Sequence, residues 1–150
     1  CGKDHGFMTV VVDVRSPEDY AVWLAEKKAE AAKLAELTSK EWTIEELTER
    51  GEQVYRTACV ACHQASGEGM PPTFPALKGS QMVTQDIEAH IDIVVNGKPG
   101  TSMAAFGKQL SEVDLAAVIT YERNAWGNDT GEMVTPKDVL DFKQAEEATQ

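Results

Sequence analysis

The chain has 150 residues, 42% of them apolar, and a formal net charge of −11 at pH 7. That length suits one ordinary domain with flanking material, and the apolar content supports a small core. The acidic balance argues against nucleic acid, which needs clustered Lys and Arg, and no stretch approaches the ~18 apolar residues of a membrane-spanning helix. An acidic surface suits basic or dipolar protein partners, although acidity also simply keeps a protein soluble.

The N-terminus opens at Cys1 without the pattern of a signal peptide. Residues 7–15, FMTVVVDVR, are β-branched and partly alternating, which predicts one strand. Ser16-Pro17-Glu18 then supplies an N-cap followed by proline at the first helical position. A helix is expected from Pro17 to about Leu37, roughly 30 Å long, with the Ala/Glu/Lys-rich composition of a semi-rigid spacer. Tyr20, Trp23 and Leu24 offer its first turns a docking face, and its second half reads as solvated.

Thr43-Ile44-Glu45-Glu46 is a capping box that starts a second helix, running to about Ala58. Residues 64–80 are rich in Gly, Pro and Ser and predict loop. Thr84 caps a helix through Val95, closed by Asn96-Gly97. A second loop holds Pro99-Gly100, and Ser111 caps a helix through about Asn124. From Asp129 the chain is polar, with a short helix expected after Thr135-Pro136.

The sequence Cys59-Val60-Ala61-Cys62-His63 is CxxCH. Two thiols three residues apart on one helical turn can add to neighbouring vinyl groups of a haem, and the next imidazole then sits under the iron. The competing readings are a disulfide or half of a zinc site. Zinc would need two further ligands, and the remaining Cys1, His5 and His90 lack paired spacing. For the sixth iron position the candidates are Met70, Met82, Met103, Met133 and His90. Met103 lies 40 residues beyond His63 on a loop between two predicted helices, where a thioether can reach the far haem face. Met70 is too near His63 in sequence to cross, and Met82 and His90, in or beside a helix, read as packing or surface. Ligation by His and Met raises the potential and suits electron transfer rather than oxygen chemistry, which argues against a peroxidase.

Residues 44–128 resemble a small class I cytochrome c. Gly51 and Tyr55, eight and four positions before Cys59, stand where that family has a small residue and an aromatic on its first helix. Leu115 and Val118 stand where the last helix crosses it. Pro75-Ala76-Leu77-Lys78-Gly79 matches the family's PxLxG. The resemblance implies that the Pro75 carbonyl accepts a hydrogen bond from the second ring nitrogen of His63, and that Leu77 packs on the haem. Ala104 departs from the proline that often follows the ligand Met in relatives. The exposed haem edge is expected between Val60, Ala61, Met70, Pro71 and the Met103 loop.

Cys1, His5 and Met8 form C-x3-H-x2-M ahead of the predicted strand. This resembles the end of the dinuclear copper (CuA) motif in subunit II of haem–copper cytochrome oxidases. Cys1 would then be a bridging cysteine, with His5 and Met8 each on one copper, and the other ligands upstream. Soft thiolate and thioether with imidazole suit copper. A lipidated first cysteine is the other reading of Cys1. SPEDYAVWLAEKK (16–28) resembles the end of that copper domain, and TYERNAWG (120–127) the end of the haem domain in oxidases whose subunit II carries a fused cytochrome c.

The expected architecture is mainly α: a class I cytochrome c fold, with an N-terminal strand remnant of a cupredoxin-like CuA domain at 1–15, a helical linker at 16–43, the haem domain at 44–128 and a tail at 129–150. The resemblance implies one covalent haem c, with CuA copper only in an intact parent subunit. Electrons would pass from a donor cytochrome or quinol-oxidising complex through the haem to CuA, among other oxidase subunits. The setting would be the periplasmic side of a bacterial inner membrane, reached only through upstream sequence of the parent. The chain would itself be an electron-transfer domain, and the parent complex a cytochrome c oxidase. The alternative is a free-standing periplasmic cytochrome c.

Overall fold

The computed structural model describes residues 11–148. It is helical throughout, in the order α1 (Pro17–Ser39), α2 (Ile44–Ala58), α3 (Val60–His63), α4 (Gln81–Gln85), α5 (Ile87–Asn96), α6 (Glu112–Asn124) and α7 (Pro136–Glu147). Two compact units divide the described residues, with the boundary between Leu34 and Ala35.

In the first unit the strand expected at 7–15 is not formed over its described part. Residues 11–15 have no regular structure, and Val11, Val12 and Val14 are exposed. An isolated strand leaves its backbone donors and acceptors without a neighbour. Residues 7–10 lie outside the described residues. Helix α1 begins at Pro17 as expected, and Ser16 Oγ accepts from Asp19 N at 3.1 Å. None of its residues is buried. Tyr20 and Trp23 meet ring to ring at 5.6 Å, and Arg15 lies 5.7 Å above the Trp23 ring.

In the second unit the Thr43–Glu46 capping box is formed in both directions and starts α2. Leu47, Gly51 and Tyr55 recur every four residues and are the buried face of that helix. They pack on α6, which is enclosed almost all round, from Val113 to Thr120. Gly51 is where the two helices come closest. A Cβ built there would lie 2.0 Å from the Ala117 carbonyl oxygen and 2.6 Å from Tyr121 Cβ. The crossing expected from Gly51 and Tyr55 is therefore present, but Gly51 meets Ala117 and Tyr121. Leu115 and Val118, expected at that crossing, are buried in the adjoining core. Ala117 and Tyr121 are one turn apart and share a face, from which 115 and 118 are rotated.

Thr84 does not cap the central helix. Asp86 does, its Oδ1 accepting from Ala89 N at 3.0 Å, while residues 81–85 form the separate turn α4. The polar segment after Asp129 adds to the core. Val134 and Val139 are buried, and α7 packs on α6 behind a Thr135–Asp138 capping box. Thr120 Oγ1 both donates to the Val134 carbonyl (3.1 Å) and accepts from Val134 N (3.0 Å), satisfying buried backbone next to α6.

Candidate functional site

One cavity of about 460 Å³ lies within the second unit. Cys59, Cys62, His63, Pro75, Leu77 and Met103 all line it, from three separate segments of chain. The helical turn α3 carries His63 N to the Cys59 carbonyl at 3.0 Å, which puts the CxxCH residues on one turn. Gln64 then breaks the helix with φ 63°.

The His63 ring is fixed by its far nitrogen. With Nδ1 carrying its proton, it donates to the Pro75 carbonyl 3.0 Å away, leaving the Nε2 lone pair free for a metal. The loop that brings Pro75 there is tied at several points. Leu77 N and Lys78 N donate to the Gly67 carbonyl at 2.8 and 3.0 Å. Asn128 accepts from Gly79 N at 2.7 Å and donates to the Glu122 carbonyl at 2.7 Å, so the loop is fastened to the end of α6.

An aromatic cluster holds the other side of this loop. Tyr55, Tyr121 and Trp126 meet with centroids 4.9–5.4 Å apart. Tyr55 donates to the Gln64 carbonyl at 2.6 Å and Trp126 Nε1 to the Ala65 carbonyl at 3.0 Å. Gly67, at φ +69°, leaves the Trp126 ring no room for a Cβ. The residues directly after His63 are thus pinned from α2 and from beyond α6.

Met103 sits on a clasped loop. Lys98 N donates to the Met103 carbonyl and Thr101 Oγ1 accepts from Met103 N, both at 3.1 Å. Gly97 at φ +72° permits that contact, since a Cβ there would lie 2.7 Å from the Met103 oxygen. Phe106 N and Gly107 N then bond back to the carbonyls of Val94 and Val95. These bonds hold the loop without a proline at Ala104.

The other candidate ligands separate. Met70 is 45% exposed and, like Met133, is away from the cavity wall, whereas Met82 reaches it. His90, expected as packing or surface, is a buried cavity residue, with Nε2 2.8 Å from Glu122 Oε2. The expected edge residues Val60, Ala61, Met70 and Pro71 do not line the cavity; Pro72, Thr73, Thr101 and Ser102 do. Cys1, His5 and Met8 lie outside the described residues.

Cys59 and Cys62 are free thiols. Burial, followed by the charge of Glu122, pushes the Cys59 thiol far up, so it stays protonated. Among the described residues no group of three or more His, Cys, Asp and Glu could hold a metal ion. The donor set instead fits haem: a roomy, mainly apolar cavity, two thiols on one turn, an oriented imidazole and a thioether on a separate loop. Sequence reasoning weighed His90 as a sixth ligand and set it aside as packing or surface, and it missed Glu122, Tyr121, Trp126 and Asn128 as parts of this site. The signal for Tyr121, Glu122 and Trp126 was the resemblance at residues 120–127, which marked the segment without assigning its contacts.

Residues 46–121 match the family described as cytochrome c oxidase, cbb3-type, subunit III. The alcohol dehydrogenase (quinone) cytochrome c subunit of Gluconobacter oxydans is 30% identical over 99 residues, covering 59% of this chain and 21% of that protein. The gluconate 2-dehydrogenase cytochrome c subunit of Pantoea cypripedii is 31% identical over 110 residues, covering 66% and 25%. Cytochrome c-554(548) of Halomonas halodenitrificans is 32% identical over 65 residues, covering 42% of this chain and 78% of that protein. The chain thus spans a quarter or less of the two dehydrogenase subunits.

Proposed function

The chain belongs to the cytochrome c family described as cytochrome c oxidase, cbb3-type, subunit III, and on that premise we propose that residues 44–128 hold a His63/Met103-ligated haem c that relays single electrons. Family membership carries the coarser part: a class I cytochrome c fold, covalent haem c and electron transfer. The observation that carries the residue assignment is the His63–Pro75 hydrogen bond at the wall of a cavity shared with Cys59, Cys62 and Met103.

Haem c supplies a one-electron ferric/ferrous couple. Cys59 and Cys62 would anchor it through thioether bonds. His63 is held in one tautomer and orientation by Pro75, which strengthens it as a donor. Met103 would supply the second axial donor from its own loop, whose backbone is fixed by the hydrogen bond from Lys98 N to the Met103 carbonyl. Leu77, Phe106 and Val118 exclude water from the pocket, which keeps reorganisation small when the charge changes.

The partner assignment goes further. The sequence resemblances at residues 1–8, 16–28 and 120–127 favour an oxidase subunit II in which the haem receives electrons from a donor cytochrome or quinol-oxidising complex and passes them to CuA on the periplasmic side. Helix α1 would act as the tether, replacing diffusional encounter with an effective concentration. The dehydrogenase relatives favour a second reading, a cytochrome subunit that accepts electrons from a catalytic dehydrogenase subunit.

Denaturing mass spectrometry after c-type maturation tests the haem: a haem-mass adduct is expected on the Cys59–His63 peptide, and unmodified thiols there would refute it. Copper titration of the native polypeptide that includes the sequence upstream of Cys1 tests the partner. A mixed-valence dinuclear signal with concentration-independent electron transfer from the haem supports the oxidase reading. No copper binding transfers the assignment to the dehydrogenase-type subunit.

A further inference from the structure

Facing the cavity is a charged pair that the haem-holding residues leave unused. His90 comes from α5 and Glu122 from α6; they are 1% and 4% exposed, and both line the cavity. His90 Nε2 lies 2.8 Å from Glu122 Oε2, and His90 Nδ1 is buried with no hydrogen-bond partner. With Nε2–H donating to Glu122, Nδ1 with its lone pair is the atom of this pair left open to a further proton.

An ionised carboxylate inside a protein needs a compensating charge. The neighbours of Glu122 do not provide it. From α2, Tyr55 faces it, and burial together with the Glu122 charge keeps that phenol protonated and neutral; Cys59, just after α2, would be a neutral thioether once haem is attached. Tyr121, beside it on α6, is likewise pushed up, first by burial. Arg123 is buried but turned away, bonded to the carbonyls of Val83 and Thr84 and to Glu132. Lys98 and His63 line the same cavity, yet among the described residues the ion-pair partner of Glu122 is His90 alone. Leaving aside its propionates, the iron and ring of a ferric haem would carry one net positive charge and lose it on reduction.

We propose that the His90–Glu122 pair is the internal counter-charge of the haem and a redox-linked proton site. The pair is anionic while the iron is ferric. When a one-electron donor reduces the iron, the pair takes up one proton from solvent at the His90 Nδ1 lone pair and becomes net neutral. One electron and one proton enter together, and both leave on oxidation. The inference rests on the haem c reading above.

The test is spectroelectrochemistry of the matured holoprotein at a series of pH values, after mass spectrometry has established the haem adduct. Absence of the adduct defeats the haem reading itself. With haem bound, the midpoint potential should fall as pH rises, over part of the range, by up to a tenfold change in the redox equilibrium constant per pH unit, about 59 mV for one electron. Glu122→Gln should raise the potential and remove this slope. His90→Gln keeps an amide donor for Glu122 but cannot take up the proton, so the slope should vanish while the potential stays low. The sulfur-to-iron charge-transfer band checks that each variant keeps its ligands. If Glu122→Gln fails to fold, wild type and His90→Gln decide. A potential independent of pH in wild type, or the same slope in His90→Gln, would overturn the proposal.

Discussion

Replacing Gly51 with alanine isolates the α2–α6 crossing with a single methyl group. That methyl would stand 2.0 Å from the Ala117 carbonyl oxygen, 2.6 Å from its carbon and 2.6 Å from Tyr121 Cβ. Two of these are backbone atoms of a helix buried on nearly every side, so no side-chain rotation relieves the clash. The closest contact must lengthen by about 1.4 Å to reach ordinary van der Waals distance, and overpacking of this kind costs about 1–3 kcal/mol or somewhat more. Alanine is also the better helix former, which returns roughly 1 kcal/mol. The separation additionally loosens Tyr55 against Tyr121, a ring pair worth about 1 kcal/mol beyond its buried area. The net expectation is a loss of roughly 2 kcal/mol. Denaturant unfolding of the ferric holoprotein, followed by the haem absorbance and by far-ultraviolet dichroism, measures it as a lower midpoint at an unchanged slope. If Gly51→Ala unfolds at or above the wild-type midpoint, helix propensity outweighs packing, and the close approach at Ala117 is wrong.

Met103→Ala should abolish the ferric sulfur-to-iron charge-transfer band and lower the reduction potential; retention of the band, with its loss in Met82→Ala instead, would move the ligand to α4. Arg123→Ala leaves the Val83 and Thr84 carbonyls without their donor and should cost about 1–3 kcal/mol per orphaned buried group, seen as a lower unfolding midpoint. Glu112 offers a pH test. Burial raises its carboxyl, but the Lys143 hydrogen bond and charge outweigh that, and the net shift is downward. A carboxyl lowered in the folded state adds stability above its ordinary value of about 4.5, and that stability is lost as pH falls through the lower folded value. Lys143→Met should therefore lower the urea midpoint at neutral pH, with the difference from wild type shrinking below about pH 4.5; an equal difference at all pH values would exclude the ion pair as its source.

Local rules decided most of the element starts. Ser16 with Pro17, Thr43 with Glu46, Ser111 and Thr135 each satisfy backbone N–H groups within three residues, so no distant contact is needed to begin those helices. The CxxCH turn is equally local chemistry, and for that reason Cys59, Cys62 and His63 could be named from their order, whereas Pro75 and Leu77 were named through the resemblance of PxLxG to the family's pattern. Tertiary structure decided the rest. A strand at 11–15 depends on a partner for its backbone, and pattern alone cannot supply one. Thr84 and Asp86 are both sound caps, and packing of α5 against α6 selects Asp86. The segment after Asp129 looks polar because its two anchors, Val134 and Val139, are too few to make an apolar run, yet both are buried against α6. His90 and Glu122 are 32 residues apart. Nothing in either neighbourhood announces the other, since burial brings an imidazole and a carboxylate together only where two helices from distant parts of the chain enclose the same cavity.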